Sequence, residues 1–218
     1  MNEKLASIKN YLQTSGVALV AISKTKTPEE ILTVYKQGHR VFGENKVQEL
    51  MDKYEALPKD IQWHLVGHLQ TNKVKYIAPF VSLIHSIDSW KLIEELNKQA
   101  KKQGRVIAVL LQIYIAKEKT KFGLSFEEAR ELLLQKELSS FENICIRGIM
   151  GMSTFTDDLI QVRSEFKSLK TFFDKVQPLR SSNFQPDLLS MGMSNDYKIA
   201  VEEGSNMVRI GSAIFGER

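Results

Sequence analysis

The stretch VALVAISKTKT, residues 17 to 27, decides the fold. Its first part, VALVAIS, is a continuous apolar run, as expected of a strand covered on both faces of a parallel sheet. Its second part, SKTKT, contains no glycine. An open doubly wound sheet normally carries a glycine-rich turn after its first strand, where the backbone approaches a phosphate. The missing turn makes that architecture the runner-up and favours a closed barrel.

The chain outward from this stretch supports the choice. Thr27-Pro28-Glu29-Glu30 is a helix start, with proline at the first helical position after a threonine cap, and that helix ends near Gly38. RVFGE (40–44) is a short strand, followed by the helix NKVQELMDKYEAL. IQWHLVGH (61–68) is the third strand, with a short helix through Lys75. VSLIHSI (81–87) is the fourth, after which Asp88 or Ser89 caps WKLIEELNKQAKK. VIAVLLQIY (106–114) is again apolar throughout. Ser125 opens the capping pattern S-F-E-E with Glu128. ICIRGIMGM (144–152), DLLSMGMS (187–194) and MVRIGSAIF (207–215) complete the strands, with helices over about 158–175 and 196–203 between them. Eight strands separated by helices is the count of a (β/α)8 TIM barrel. No linker, low-complexity segment or repeat interrupts the 218 residues, so one domain over 1–218 is expected.

Composition narrows the function. The chain is 43% hydrophobic and 26% charged, in the range of soluble globular proteins. Its net charge is +4, and the densest basic cluster, KQAKKQGR (98–105), falls where a helix should end. Cations at a helix C-terminus suit the helix dipole. The cluster lacks the interleaved aromatics or motif of a nucleic-acid site, so no nucleic-acid partner is expected. Cys145 is the only cysteine and reads as a small core residue. It excludes an internal disulfide and suits a reducing compartment, so the cytoplasm is the expected location. MNEKLASIKNYLQ reads as an amphipathic helix rather than a signal peptide, and no apolar run reaches about 18 residues, so no membrane span is expected.

In such a barrel the active site lies at the C-terminal ends of the strands. Ala18, Val20, Ile22 and Lys24 share one strand face, so Lys24 should project into the barrel mouth. A neutral lysine amine in a partly desolvated site forms Schiff bases with carbonyls. If the chain stays extended, Lys26 lies on the same side, and a neighbouring cation favours the neutral amine. MGMSND (191–196) and RIGSAIFG (209–216) each turn from strand to helix in the two loops where this barrel class commonly holds phosphate. Gly192, Ser194, Gly211 and Ser212 are suited to an anion: glycine admits the backbone N–H groups and serine adds a hydroxyl. An amine opposite a phosphate cradle points to a phosphorylated aldehyde. Pyridoxal 5′-phosphate is the common cofactor of that description, with aldolase substrates the other candidates.

AISKTK, FGENKVQE, WHLVGHLQTNK, HSID, RGIMGM, LLSMGMSND and VRIGSAIFG, in this order, resemble the pyridoxal phosphate homeostasis proteins, also called the proline synthase co-transcribed family. The resemblance covers nearly the whole chain. It implies a barrel like the N-terminal domain of bacterial alanine racemase, with Lys24 carrying pyridoxal 5′-phosphate as a Schiff base. It places the phosphate at Ser194, Gly211 and Ser212, and Lys26 near the cofactor. It sets Arg209 at the position that faces the pyridine nitrogen in the racemase, and Asn45, His64, Ser86 and Met152 at pocket-lining positions. A cation at that nitrogen opposes its protonation and weakens the ring as an electron sink. The sequence reaches Arg218 directly after the eighth unit, whereas the racemase adds a C-terminal domain with a catalytic tyrosine. The implied role is therefore a cofactor carrier serving vitamin B6 and amino-acid homeostasis, without established catalysis. The alternative is a weak racemase. Apo-enzymes that receive the cofactor are the implied partners, and a monomer fits the family.

Weaker signals remain. His64 and His68 share a strand face and could suggest a metal pair, but no third ligand is evident, and polar lining is the simpler reading. Glu44 could serve as a general base, though a hydrogen-bonded strand-end carboxylate is favoured. Met150 and Met152 read as core or pocket wall, and Trp63 should pack outward against helices. The basic AKEKTKFG loop (116–123) reads as solvated, with contact to an acidic partner the lesser alternative.

Overall fold

The computed structural model describes residues 3–117 and 122–216; part of the AKEKTKFG loop therefore lies outside the described residues, as do both chain ends. The strands are β1 (Ala18–Ile22), β2 (Val41–Glu44), β3 (Gln62–Leu65), β4 (Leu83–Ile87), β5 (Ile107–Tyr114), β6 (Ile144–Met152), β7 (Phe184–Ser190) and β8 (Met207–Ile210). Each pairs in parallel with the next, and β1 also pairs with β8, Val20 opposite Arg209, so the sheet closes into a barrel in sequence order. The expected (β/α)8 architecture is what the structure shows.

The helices are α1 (Glu3–Thr14), α2 (Pro28–Tyr35), α3 (Val47–Ala56), α4 (Val74–Ile77), α5 (Trp90–Lys102), α6 (Phe126–Leu134), α7 (Leu159–Val176), α8 (Tyr197–Glu202) and α9 (Ser212–Phe215). Local chemistry sets several starts. Both expected caps form: the Thr27 cap before α2 is a full capping box with Glu30, and the capping box of Ser125 with Glu128 precedes α6. Asp158 caps α7 by accepting from the N–H groups of Ile160 and Gln161. Ser89 occupies the cap position of α5 without a side-chain cap bond, while Asp88 is drawn instead to His68, 3.1 Å away.

Two apolar layers hold the barrel. The outer layer lies between strands and helices and includes Phe42 and Trp63, both fully buried with ring centroids 6.0 Å apart. Trp63 thus faces outward as expected. Burying a side chain such as Phe42 stabilises the fold by about 1.5–3 kcal/mol. The inner layer fills the barrel with Val20, Leu83, Leu110, Met150 and Met207, with Ile22 and Met152 packed against them. Cys145 is a half-buried free thiol, and burial pushes its titration upward. Among the described residues no helix is long and apolar enough to cross a membrane.

Three strand ends differ from the sequence reading. The third strand stops at Leu65, so His68 stands in the following loop and does not share a strand face with His64. The seventh spans Phe184–Ser190 rather than 187–194. The eighth stops at Ile210 rather than running to 215. Ile210 pairs with Ala21 near the end of β1, and beyond it the N–H groups of Ile214 and Phe215 turn back onto the Gly211 carbonyl, starting α9.

Candidate functional site at the C-terminal mouth of the barrel

Val20 and Ile22 point into the barrel and lead the chain toward Lys24 at the mouth. The chain does not stay extended there. Lys26 N–H donates to the Ser23 carbonyl at 3.0 Å, and Thr25 between them has φ 67°. Thr25 is the one residue other than glycine with positive φ among the described residues. That conformation is an outlier for a β-branched side chain and costs of order 1–3 kcal/mol. The turn overturns the premise that Lys24 and Lys26 project together from one strand face. The Lys26 ammonium lies 3.3 Å from Glu30 Oε1 and donates to the Phe215 carbonyl at 3.3 Å. It ties the first loop to α2 and to the end of α9.

Lys24 is half-buried and lines a cavity of about 700 Å³ at this end of the barrel. Lys26, Ser194, Arg209, Gly211 and Ser212 line the same cavity. The segment after β6, Ser153 to Asp157, forms another wall. It is held by Glu165 of α7, which accepts from the N–H and hydroxyl of Thr154 at 2.7 Å each, and by Asp196, which accepts from Ser153 Oγ at 2.6 Å. Ser194 Oγ accepts long hydrogen bonds from the N–H groups of Gly211 and Ala213, at 3.3 and 3.4 Å. The two glycine turns are thereby brought into one rim. Glycine relieves crowding in both, more so at the first. At Gly192, φ is 97° and a Cβ would lie 2.6 Å from Ala200 Cβ; at Gly211 it would lie 3.1 Å from the Ile22 carbonyl oxygen.

Arg209 is buried at the base of this cavity, 4% exposed. Its Nη1 donates to the Ser190 carbonyl at 2.9 Å and to Ser190 Oγ at 2.7 Å, and its Nη2 to the Gly151 carbonyl at 3.0 Å. Burial lowers its pKa to about 10, with Asp196 opposing, so the guanidinium is cationic at neutral pH. Behind it His85 Nδ1 lies 3.2 Å from Ser190 Oγ, and His85 Nε2 lies 3.0 Å from His64 Nδ1. Burial holds His64 neutral, with its pKa lowered to about 3, and pushes His85 well below its ordinary range.

The chemistry of the donors orders this chain. A guanidinium only donates. Ser190 Oγ therefore accepts from Arg209, and its own hydrogen has His85 Nδ1 as its acceptor among the described residues. A neutral His85 then carries its proton on Nε2 and donates it to His64 Nδ1. His64 in turn carries its proton on Nε2. These tautomers are assigned from the network.

Of the other expected site residues, Gly192 and four more do not line the cavity. His64 sits beneath it, joined through His85 and Ser190 to Arg209. Met152 packs against the inner barrel layer. Ser86 is fully buried with no hydrogen-bond partner on its Oγ among the described residues. Asn45 is half-buried after β2, with its carbonyl against Gly67. Sequence reasoning passed over His85, although HSID contains it, because a register shift between Ile84 and Ile87 disturbs the alternation there. It also passed over Lys53, which lies 5% exposed on α3 and donates to Glu44, Glu49 and the Ser23 carbonyl at 2.7 Å each. Glu44 accepts from Lys53 and from Ser23 Oγ; burial raises its pKa, opposed by both bonds. Among the described residues no group of three or more His, Cys, Asp or Glu could hold a metal ion.

The family model for the alanine racemase N-terminal domain matches residues 1–218. The pyridoxal phosphate homeostasis protein of Aquifex aeolicus is 42% identical over 201 residues, 92% of this chain and 86% of that protein. The chain belongs to the pyridoxal phosphate homeostasis protein family. The Haemophilus influenzae member is 37% identical over 93% of this chain and 85% of its own length. Among solved structures, PipY of Synechococcus elongatus PCC7942 without pyridoxal phosphate superposes with a TM-score of 0.91 at 35% identity, covering 99% of both chains. PipY with pyridoxal phosphate bound gives 0.87 at the same identity. The alanine racemase of Bartonella henselae, at 16% identity and a TM-score of 0.70, shares the fold over 99% of this chain and 60% of its own. The family assignment agrees with the resemblance carried by the sequence motifs.

Proposed function

We propose that this protein binds pyridoxal 5′-phosphate at the mouth of the barrel, holds it as a Schiff base on Lys24, and serves vitamin B6 homeostasis as a carrier rather than an enzyme. One observation carries the reading: Lys24 and the Ser194–Gly211–Ser212 rim line one cavity. Its volume, about 700 Å³, is in the range of small-molecule sites. The donors fit the group. The rim joins two serine hydroxyls to the turn that opens α9, where the N–H groups of Gly211 and Ala213 make only long bonds to Ser194 Oγ. These are donor types that suit a phosphate. Gly211 lies close to β1, where a Cβ would crowd the Ile22 carbonyl.

When bound, the cofactor supplies an aldehyde that condenses with a primary amine, releasing water. The Lys24 amine is the partner for that condensation. Ser194 and Ser212 hold the phosphate, and Lys26 adds positive charge to the same cavity. Arg209, cationic and fixed by three hydrogen bonds, opposes proton uptake at a pyridine nitrogen placed beside it. A ring kept a weak electron sink in this way is shared with the racemase position, so the arginine fits the cofactor without by itself selecting turnover. Relatives named for pyridoxal phosphate homeostasis support the carrier role. The barrel over 1–218 is proposed as one domain acting as a monomer in the cytoplasm, with apo-enzymes as recipients.

The visible spectrum of the purified protein tests the reading. A yellow protein bleached by borohydride, with transfer of the cofactor to an apo-enzyme, is expected. Turnover of L-alanine or L-serine abolished by Lys24→Ala would establish the racemase alternative instead.

A further inference from the structure

We propose that Glu49, backed by Lys53 and Glu44, is a positioning residue that holds the backbone turn at Thr25 and so aims Lys24 across the cavity. The proposal rests on the reading of Lys24 as the cofactor-binding amine.

The turn needs an external hold. Thr25 has φ 67°, a region that β-branched residues avoid. Such a residue persists only where its surroundings over-determine it. The surroundings here come from β2 and α3. Thr25 N–H donates to Glu49 Oε1 at 2.5 Å. On the other side of Lys24, the Ser23 carbonyl accepts from Lys53 Nζ at 2.7 Å, and Ser23 Oγ donates to Glu44 Oε1 at 2.6 Å. Lys53 joins the two carboxylates, 2.7 Å from each. The backbone is thus gripped one residue before Lys24 and one residue after it, and none of these bonds goes to the Lys24 ammonium.

Stability alone is a poor reason for this network. Buried ion pairs seldom exceed apolar replacements in stability. This one also leaves Glu44 Oε2 buried with no hydrogen-bond partner among the described residues. A side chain whose backbone is fixed on both flanks has fewer orientations to search, which is how positioning raises the rate of a bimolecular attack.

The test mixes the full chain, stripped of cofactor, with pyridoxal 5′-phosphate and follows condensation by stopped-flow absorbance. Pyridoxamine 5′-phosphate, with the same ring and phosphate but no aldehyde, reports the cradle alone. Glu49→Ala is expected to slow condensation about tenfold, within the ~100-fold that a misplacement of about 1 Å costs, while pyridoxamine phosphate affinity holds. Glu49→Gln, which keeps an acceptor for Thr25, is expected to restore most of the rate. In a Thr25→Gly background, where positive φ needs no hold, Glu49→Ala is expected to cost less than about twofold, a coupling that a merely structural role would not produce. A wild-type rate in Glu49→Ala, an equal loss in both backgrounds, or a parallel loss of pyridoxamine phosphate affinity would each overturn the clamp. Hydrogen exchange of the Thr25 amide in the wild type requires no variant to fold: protection supports the clamp, and exchange at the unprotected rate overturns it. Lys24→Ala separates the two readings. If it still forms the chromophore, the role of Lys24 falls and the clamp's purpose with it. If it does not, while Glu49→Ala matches the wild type, the clamp falls alone.

Discussion

Arg209 donates to Ser190 Oγ at 2.7 Å, and this contact sets the direction of the hydrogen bonds behind it. The guanidinium cannot accept, so His85 Nδ1 is the acceptor left among the described residues for the buried serine hydrogen, and both histidines then carry their protons on Nε2. Long-range 15N–1H NMR of the imidazoles should show that tautomer for His64 and His85. Ser190→Ala should free His85 to change tautomer and, by leaving buried partners unsatisfied, lower stability by about 1–3 kcal/mol in chemical denaturation.

The neutral histidines make stability fall in acid. His64 has a folded pKa of about 3 against an ordinary 6.5. Its folded value is depressed, so between these limits the unfolded chain binds the extra proton. The contribution is fully present above pH 6.5 and is lost progressively as pH falls toward 3. At pH 5 the loss is about 2 kcal/mol, from 1.36 kcal/mol per unit over about 1.5 units. Urea denaturation at pH 7 and pH 5 should show this decline, and His64→Gln should reduce it by about that amount. An unchanged slope in the variant would place the titration elsewhere.

The Lys53–Glu44 pair sets up a different contrast. Both side chains are buried, 2.7 Å apart. Lys53→Met leaves a buried carboxylate uncompensated and should cost about 3–5 kcal/mol in chemical denaturation, whereas Lys53→Met with Glu44→Leu should recover most of the loss.

The phosphate rim is separable from the fold. Ser194→Ala with Ser212→Ala should weaken cofactor binding roughly fivefold to 30-fold, at about 1–2 kcal/mol for lost hydrogen bonds, and leave the circular dichroism spectrum unchanged. Fluorescence titration of the cofactor-free protein measures it; wild-type affinity in the double variant would refute the rim.

Much of this was legible in the chain because strand burial and helix capping are local properties. The apolar runs at β1 and β5 and the capping boxes at Thr27 and Ser125 follow from neighbours a few residues apart. Lys24, Ser194 and Gly211 were legible because a barrel delivers its strand ends to one mouth. What escaped was non-local. Nothing in SKTKT marks Thr25 for positive φ, since the force that holds it comes from Glu49, a helix away. His85 was hidden by the register shift in β4, and His68 was misplaced because β3 stops three residues before it. The end of β8 depended on where its partner β1 runs out.

Borohydride reduction of the cofactor-loaded protein, followed by peptide mapping, tests the central assignment most directly. The account predicts a pyridoxyl label on the peptide containing Lys24 and no reduced label in Lys24→Ala. A label on another lysine, or a Lys24→Ala protein that is still labelled, would contradict it.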